Sequence, residues 1–321
     1  MRTVNIQGTQ TIRLCKIVLG TNYFGAEIPE ERAMELMDEY YRLGGRTIDT
    51  ARMYGQSQTE GVSLTERTVG RWLRSRGCRD EITLITKGGH PPMEDMKRHR
   101  LDADSLRRDF SDSLKCLDCQ YVDVYMLHRD DKEVPVQGIM DTLHEFVRGG
   151  QARVLGASNW RLERILEANA YARENGKTPF AVSEIQWSLA LCDQESWGDD
   201  TLVLMDDAEH AGYLEAGIPV LAFSSQAKGL FSKYLSGGEA ALTKKTQRFL
   251  RPENIRRARR VGEVSGKTGL SPAAVCLGYI TANPLEGCAI VGCTSVEQLQ
   301  DSMTAADVCF DRETLRFLEG E

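Results

Sequence analysis

The chain has no hydrophobic run long enough to cross a bilayer, which takes about 20 consecutive apolar residues. Its first residues, Met1-Arg2-Thr3-Val4-Asn5-Ile6, lack the apolar core of a secretory signal, so the cytoplasm is the expected compartment and no membrane partner is expected. Histidine is scarce: five in 321 residues, at 90, 99, 128, 144 and 210, with no H-x-H pair. A metal-dependent hydrolase needs several histidine or carboxylate ligands, so no metal site is expected. There is no basic excess either, with 40 Lys and Arg against 47 Asp and Glu and a net charge of −7. That balance speaks against nucleic acid. The one basic cluster, Arg256-Arg257-Ala258-Arg259-Arg260, falls in a helical pattern and reads as a solvated helix face. G-x-G-x-x-G and Walker A motifs are both missing. Nine cysteines, an odd and scattered set, do not read as a disulfide framework. Cys116-Leu117-Asp118-Cys119 has C-x-x-C spacing but ends an amphipathic helix, where no dipole activates a thiolate. Two packing cysteines are expected in preference to a redox pair.

What is present is an alternation. Short apolar, β-branched runs at 16–20, 46–50, 82–87, 121–127, 152–157, 182–187, 219–223 and 288–292 alternate with helical patterns. The helices are expected near 30–44, 63–76, 102–118, 136–148, 160–175, 201–216, 253–268 with 271–282, and 295–306. Parallel strands need crossovers of about a dozen residues or more, usually helices. Eight βα units therefore predict one α/β domain over 1–321, a (β/α)8 TIM barrel. Residues 4–14 read as an N-terminal β-hairpin around Gly8 that plugs the barrel bottom. Long βα loops at 88–101, 188–200 and 224–250 belong at the C-terminal face, where such barrels keep their active sites. Ser63-Leu64-Thr65-Glu66 reads as a capping box, and Ser271-Pro272 as a helix start with proline at the first helical position.

Four polar residues fall at neighbouring strand ends: Asp49, Tyr54 just beyond it, Lys87 and His128. Together they make an acid suited to carbonyl reduction. A lysine beside tyrosine favours the phenolate, a carboxylate keeps the lysine charged, and an imidazole N–H polarises the carbonyl.

These stretches resemble the aldo-keto reductase family. Ile48-Asp49-Thr50-Ala51-Arg52-Met53-Tyr54-Gly55 is similar to its aspartate and tyrosine signature. Ile85-Thr86-Lys87 and Leu127-His128 are similar to its lysine and histidine motifs. Gly156-Ala157-Ser158-Asn159 and Glu184-Ile185-Gln186 follow in the same order, and Ser113-Leu114-Lys115 and Asp123 fit as well, so the match runs from about 16 to 302. The resemblance implies an NADP(H)-dependent enzyme reducing a small-molecule aldehyde or ketone, with Tyr54 as general acid. It implies a cofactor pocket of Gly20, Thr21, Asp49, Ser158, Asn159, Gln186 and Phe223. Ser224, Gln226, Gly229 and Leu230 are implied around the pyrophosphate, and Gly292, Cys293, Thr294, Gln298, Asp301 and Ser302 around the adenosine.

One departure bears on the cofactor. Relatives often carry a cation after the last strand for the 2′-phosphate, whereas this chain reads Gly292-Cys293-Thr294-Ser295, which keeps NAD(H) open beside NADP(H). Tyr23, Phe24, Trp160 and Trp197 line the substrate pocket beside Tyr54 and His128 or, alternatively, pack the loops. Arg129-Asp130-Asp131 reads as a solvated loop salt bridge, with a substrate contact as the alternative. The second functional reading is a catalytically weak cofactor-binding subunit or redox sensor on the same fold. Natural substrate and oligomeric state are left open.

Overall fold

Val4, Ile6, Ile12 and Leu14 alternate with exposed residues in two five-residue strands, β1 (Thr3–Gln7) and β2 (Thr11–Cys15). Period-two alternation puts all four on one face of an antiparallel hairpin in which Ile6 faces Ile12. That face packs on Val18, Ile85, Val124, Met126, Val154, Val182, Leu221 and Cys288, all from the strands of a barrel. The hairpin thus closes the barrel's N-terminal end, as expected. Each aliphatic side chain buried there contributes about 1.5–3 kcal/mol.

The computed structural model describes residues 1–56, 62–98 and 100–320; His99 lies outside the described residues. After the hairpin come β3 (Ile17–Gly20), α1 (Glu30–Arg42), β4 (Thr47–Asp49), α2 (Leu64–Arg76), β5 (Thr83–Gly88), α3 (Ala103–Leu117), β6 (Val122–Leu127), α4 (Val136–Arg148), β7 (Ala152–Ser158), α5 (Leu162–Glu174) and β8 (Phe180–Gln186). The remainder is α6 (Gln194–Trp197), α7 (Asp207–Ala216), β9 (Val220–Phe223), α8 (Leu230–Gly237), α9 (Lys244–Gln247), α10 (Pro252–Thr268), α11 (Pro272–Thr281), β10 (Cys288–Val291), α12 (Val296–Met303) and α13 (Arg312–Glu319). Strands β3 to β10 pair in parallel, and β10 returns to β3, so the sheet is a closed (β/α)8 barrel.

Several expectations shift in detail. The helix expected at 201–216 begins at Asp207, because Asp206 caps it by accepting from Glu209 N. Residues before it run alongside β8, where Met205 N donates to Gln186 O. The loops at 188–200 and 224–250 contain the short helices α6, α8 and α9. Ser63 caps α2 by accepting from Glu66 N, but the Glu66 carboxyl turns inward and accepts from Thr86 Oγ1 at 2.6 Å. The capping box is therefore half made. Arg257, expected on a solvated helix face, is half-buried and donates to Leu189 O and Glu319 O, tying α10 to the β8 loop and α13. No helix among the described residues is long and apolar enough to cross a membrane.

Candidate active site

Each strand carries its inward side chains on alternate residues, so β5 points Ile85 into the plugged end and Lys87 into the mouth. Lys87 is fully buried, and a buried ammonium requires partners. Its Nζ donates to Asp49 Oδ1 at 2.5 Å and to Thr50 O at 3.2 Å. Glu184 Oε2, from β8 across the barrel, lies 3.3 Å from the same nitrogen. Burial opposes the charge on Lys87, yet Asp49 and then Glu184 hold its proton affinity above the ordinary lysine range. Asp49 itself is pushed up by burial and pulled back by Lys87.

Tyr54 sits on the loop after β4, with Lys87 Nζ 5.4 Å from its ring centroid. That loop is held by Ser63, whose hydroxyl donates to Tyr54 O at 2.8 Å while capping α2. Tyr54 departs from the simplest expectation. Burial holds its proton affinity above the usual phenol range, and Lys87, acting in the expected direction, only partly offsets this; Asp49 and Glu184 add to the rise. The Tyr54 ring meets His128 edge-on at 5.7 Å, and His128 meets His90 edge-on at 4.8 Å. Burial, then His90, Arg129 and Lys87, press the His128 proton affinity well below the ordinary range, so the imidazole is neutral. His90 is pushed down to about 4, first by burial, and its Nδ1 hydrogen goes to Pro91 O at 2.5 Å. His128 Nδ1 is buried and makes no hydrogen bond among the described residues.

The four strand-end residues thus converge, with Glu184, His90 and Arg129 beside them. Arg129 is buried and donates to His128 O and Thr201 Oγ1, and it pairs with Asp199 at 3.4 Å. Asp130 pairs with Arg164 at 3.6 Å. Arg129 is thus tied to the loop that carries Asp199, and Asp130 to α5, where a solvated bridge was expected.

The other residues singled out in the sequence separate into groups. Thr21 donates through N and Oγ1 to Asp49 O, locking β3 to β4 beneath the site. Gly20 lies where a Cβ would come within 2.7 Å of Ile290 Cγ2, so strand packing alone requires glycine there. Asn159 lies in the left-handed region (φ 57°) and donates through Nδ2 to Ser158 Oγ and His128 O. Gln186 is turned toward the β8 loop, donating to Ser188 Oγ and accepting from Cys192 Sγ. Past β9, Ser224, Ala227, Lys228 and Gly229 all take left-handed conformations and curl the backbone before α8. Leu230, the first residue of α8, is buried. Burial, then the charges of Arg248 and Lys245, lower the proton affinity of Lys228. Gln226 Nε2 reaches Ser302 Oγ at 3.4 Å, Cys293 Sγ lies 3.9 Å from that hydroxyl, and Gln298 accepts from Thr294, so these residues form one polar cluster near the exposed Gly292. Asp301 accepts from Ser271 Oγ at the start of α11, and its charge acts on the Cys293 thiol.

Two of the four candidate pocket aromatics are corrected. Trp160 is fully buried with its ring edge-on to Phe180 at 5.5 Å, in the outer core between strands and helices. Phe24 is equally buried in that core. Neither ring is exposed at the mouth. Tyr23 and Trp197 are half-buried and lie against Lys245 and Arg248, and Trp197 stands edge-on to Phe223 at 6.1 Å. Cys116 and Cys119 are both half-buried, and burial, the first cause in each case, raises both thiols. No group of three or more His, Cys, Asp or Glu among the described residues could hold a metal.

Sequence reasoning missed Glu184, His90, Lys228, Lys245 and Arg248. Glu184 carried a usable signal: a charged residue on an inward-facing position of a barrel strand, of the same parity as Gln186.

The sequence pattern of the Aldo/keto reductase family matches residues 16–319. Among curated proteins, the chain is 27% identical to the uncharacterized oxidoreductase YrpG of Bacillus subtilis (strain 168), over 97% of this chain and 93% of that one. It is 29% identical to an aryl-alcohol dehydrogenase [NADP(+)] of Phanerodontia chrysosporium, over 90% of this chain and 75% of that one. A solved structure, the thermostable aldo-keto reductase Tm1743 in complex with the inhibitor epalrestat, shares the fold with a TM-score of 0.75 at 22% identity, covering 99% of both chains. By the extent of the family match and the barrel that carries it, this chain belongs to the aldo/keto reductase family.

Proposed function

We propose that this oxidoreductase reduces aromatic aldehydes or ketones to alcohols with NADPH, using Tyr54 as the acid. The observation that carries the reading is the convergence of Asp49, Lys87, Tyr54 and His128 at the open end of the barrel. Reduced nicotinamide, when bound, supplies the hydride. Tyr54 then gives its hydroxyl proton to the oxygen that becomes the alcohol. The phenolate left behind is stabilised by Lys87, whose charge Asp49 maintains at 2.5 Å. His128, held neutral by burial, points an N–H at the carbonyl oxygen and orients it without adding a charge.

The chain's own residues suit a dinucleotide. The left-handed residues Ser224, Ala227, Lys228 and Gly229, with the cations Lys228, Lys245 and Arg248 acting on one another, offer a cradle for pyrophosphate. Phe223 offers a half-buried ring at the end of β9, and Ser158 and Asn159 offer polar groups for the carboxamide. The cation missing after β10 has a substitute: Arg32 of α1 donates through Nε to Thr294 O at 3.4 Å. A 2′-phosphate beside Thr294 would be within its reach, which favours NADP(H) over NAD(H). Tyr23, Trp197 and Phe223 at the rim suit an aryl substrate, in keeping with the aryl-alcohol dehydrogenase among the relatives.

The test follows NADPH consumption with an electron-poor aromatic aldehyde in wild type and Tyr54→Phe. Turnover in wild type that is lost in the variant is expected. NADPH binding with no turnover on any carbonyl would favour the cofactor-sensing reading instead. Arg32→Ala is expected to raise the NADPH KM about tenfold, the loss of one charge-assisted bond, and leave the NADH KM unchanged. Equal effects on both cofactors would remove Arg32 from the phosphate site.

A further inference from the structure

The four-residue reading leaves one acidic group of the site without a role. Glu184 lies on the inward row of β8, between Val182 in the plugged core and Gln186. It is buried, and its Oε2 lies 3.3 Å from Lys87 Nζ, a longer contact than the one Asp49 makes. The same ammonium is already bound by Asp49 at 2.5 Å. Asp49 faces Glu184 from β4, Lys87 from β5, Tyr54 from the loop after β4, and Arg129 from the loop after β6. Ser158 of β7 and Leu221 of β9 flank it in register. Arg129 is balanced by Asp199, so one lysine stands against two carboxyl groups. Two carboxylates sharing one buried site cannot both ionise freely, and the one with the weaker hold on the cation keeps its proton.

We propose that Glu184 is a positioning residue of this site, a carboxylic acid that stays protonated at neutral pH and, acting through Lys87, sets how readily Tyr54 gives up its proton. The link to Tyr54 rests on the reductase reading; the protonation of Glu184 does not. Burial and then Asp49 push the Glu184 carboxyl up to about 8, in line with the geometry. When it ionises, one proton leaves to solvent and one negative charge appears beside Lys87. The pull of the ammonium on the phenolate is then partly cancelled, and Tyr54 holds its proton more tightly.

Glu184→Gln keeps the shape and removes the titration. In difference infrared spectra of wild type minus Glu184→Gln, without cofactor, a protonated-carboxyl band is expected at about pH 6 and should vanish by about pH 10. For carbonyl reduction, the alkaline limb of kcat/KM should move about one pH unit lower in the variant, because Tyr54 no longer feels the extra charge. A spectrum with no protonated-carboxyl band at the acidic end overturns the proposal. A band present with an unmoved alkaline limb overturns the coupling to Tyr54. Failure of the reductase reading would show separately, as turnover that survives Tyr54→Phe. Should Glu184→Gln fold poorly, the band can be followed by its pH dependence in Glu66→Gln, which removes the other buried glutamate that titrates in this range.

Discussion

The two ends of the barrel are built from the same strands and have opposite chemistry. On β5 the inward row passes from Ile85 to Lys87; on β6 from Val124 and Met126 toward His128 just beyond the strand; on β8 from Val182 to Glu184. A step of two residues, about 7 Å along a strand, separates hydrocarbon from buried charge. The closed end is covered by the hairpin's Val4, Ile6, Ile12 and Leu14, and the titratable member of that cluster is the Cys288 thiol, which burial pushes up to about 12. The open end gathers Asp49, Lys87, Glu184, Tyr54 and two neutral imidazoles within a few ångströms. One end stabilises and the other reacts, so changes at the two ends should have separable consequences.

The sharpest separation is expected at Tyr54. Tyr54→Phe should lower turnover by about 100- to 10,000-fold, the usual worth of a positioned acid, with thermal stability and NADPH affinity nearly unchanged. Lys87→Met should blur the boundary, because it leaves Asp49 and Glu184 buried without their cation. A loss of about 3–5 kcal/mol of stability is expected by chemical denaturation, together with loss of turnover. At the closed end, Leu14→Ala should cost about 2–5 kcal/mol of stability and leave kcat untouched in the folded fraction. An equal drop in kcat would mean that the hairpin shapes the mouth.

The smallest effect is a pH dependence of stability set by buried carboxyl groups. Glu66 and Glu184 are pushed up by burial to about 7 and about 8, from an ordinary 4.5. The folded protein holds these protons where the unfolded chain has released them, so the stability is full below about pH 4.5 and declines as pH rises through those values. Thermal midpoints measured from acid to mildly alkaline pH should therefore fall, and the fall should be smaller in Glu184→Gln. An identical slope in that variant would mean that Glu184 does not keep its proton in the fold.

Much of this contrast was legible in the sequence. The eight strands stood out because apolar, β-branched runs alternated with long helical periods, and Asp49, Lys87 and His128 stood out as polar residues ending such runs. Glu184 did not, because a motif match drew attention to Gln186, two residues on and of the same parity, and parity cannot tell depth along a barrel. Trp160 was read as a pocket aromatic or, alternatively, as loop packing. Its indole is buried edge-on to Phe180. Arg32 was invisible for another reason: its contact with Thr294 joins residues 262 apart in sequence. The start of α7 was misjudged where Asp206, a cap, was read as helix interior.

The most direct test measures NADPH affinity, folded fraction and turnover of an aromatic aldehyde side by side in wild type, Tyr54→Phe and Leu14→Ala. Turnover lost in Tyr54→Phe with affinity and stability intact, and stability lost in Leu14→Ala with turnover per folded molecule intact, is the predicted result. Undiminished turnover in Tyr54→Phe would contradict the assignment of chemistry to the open end.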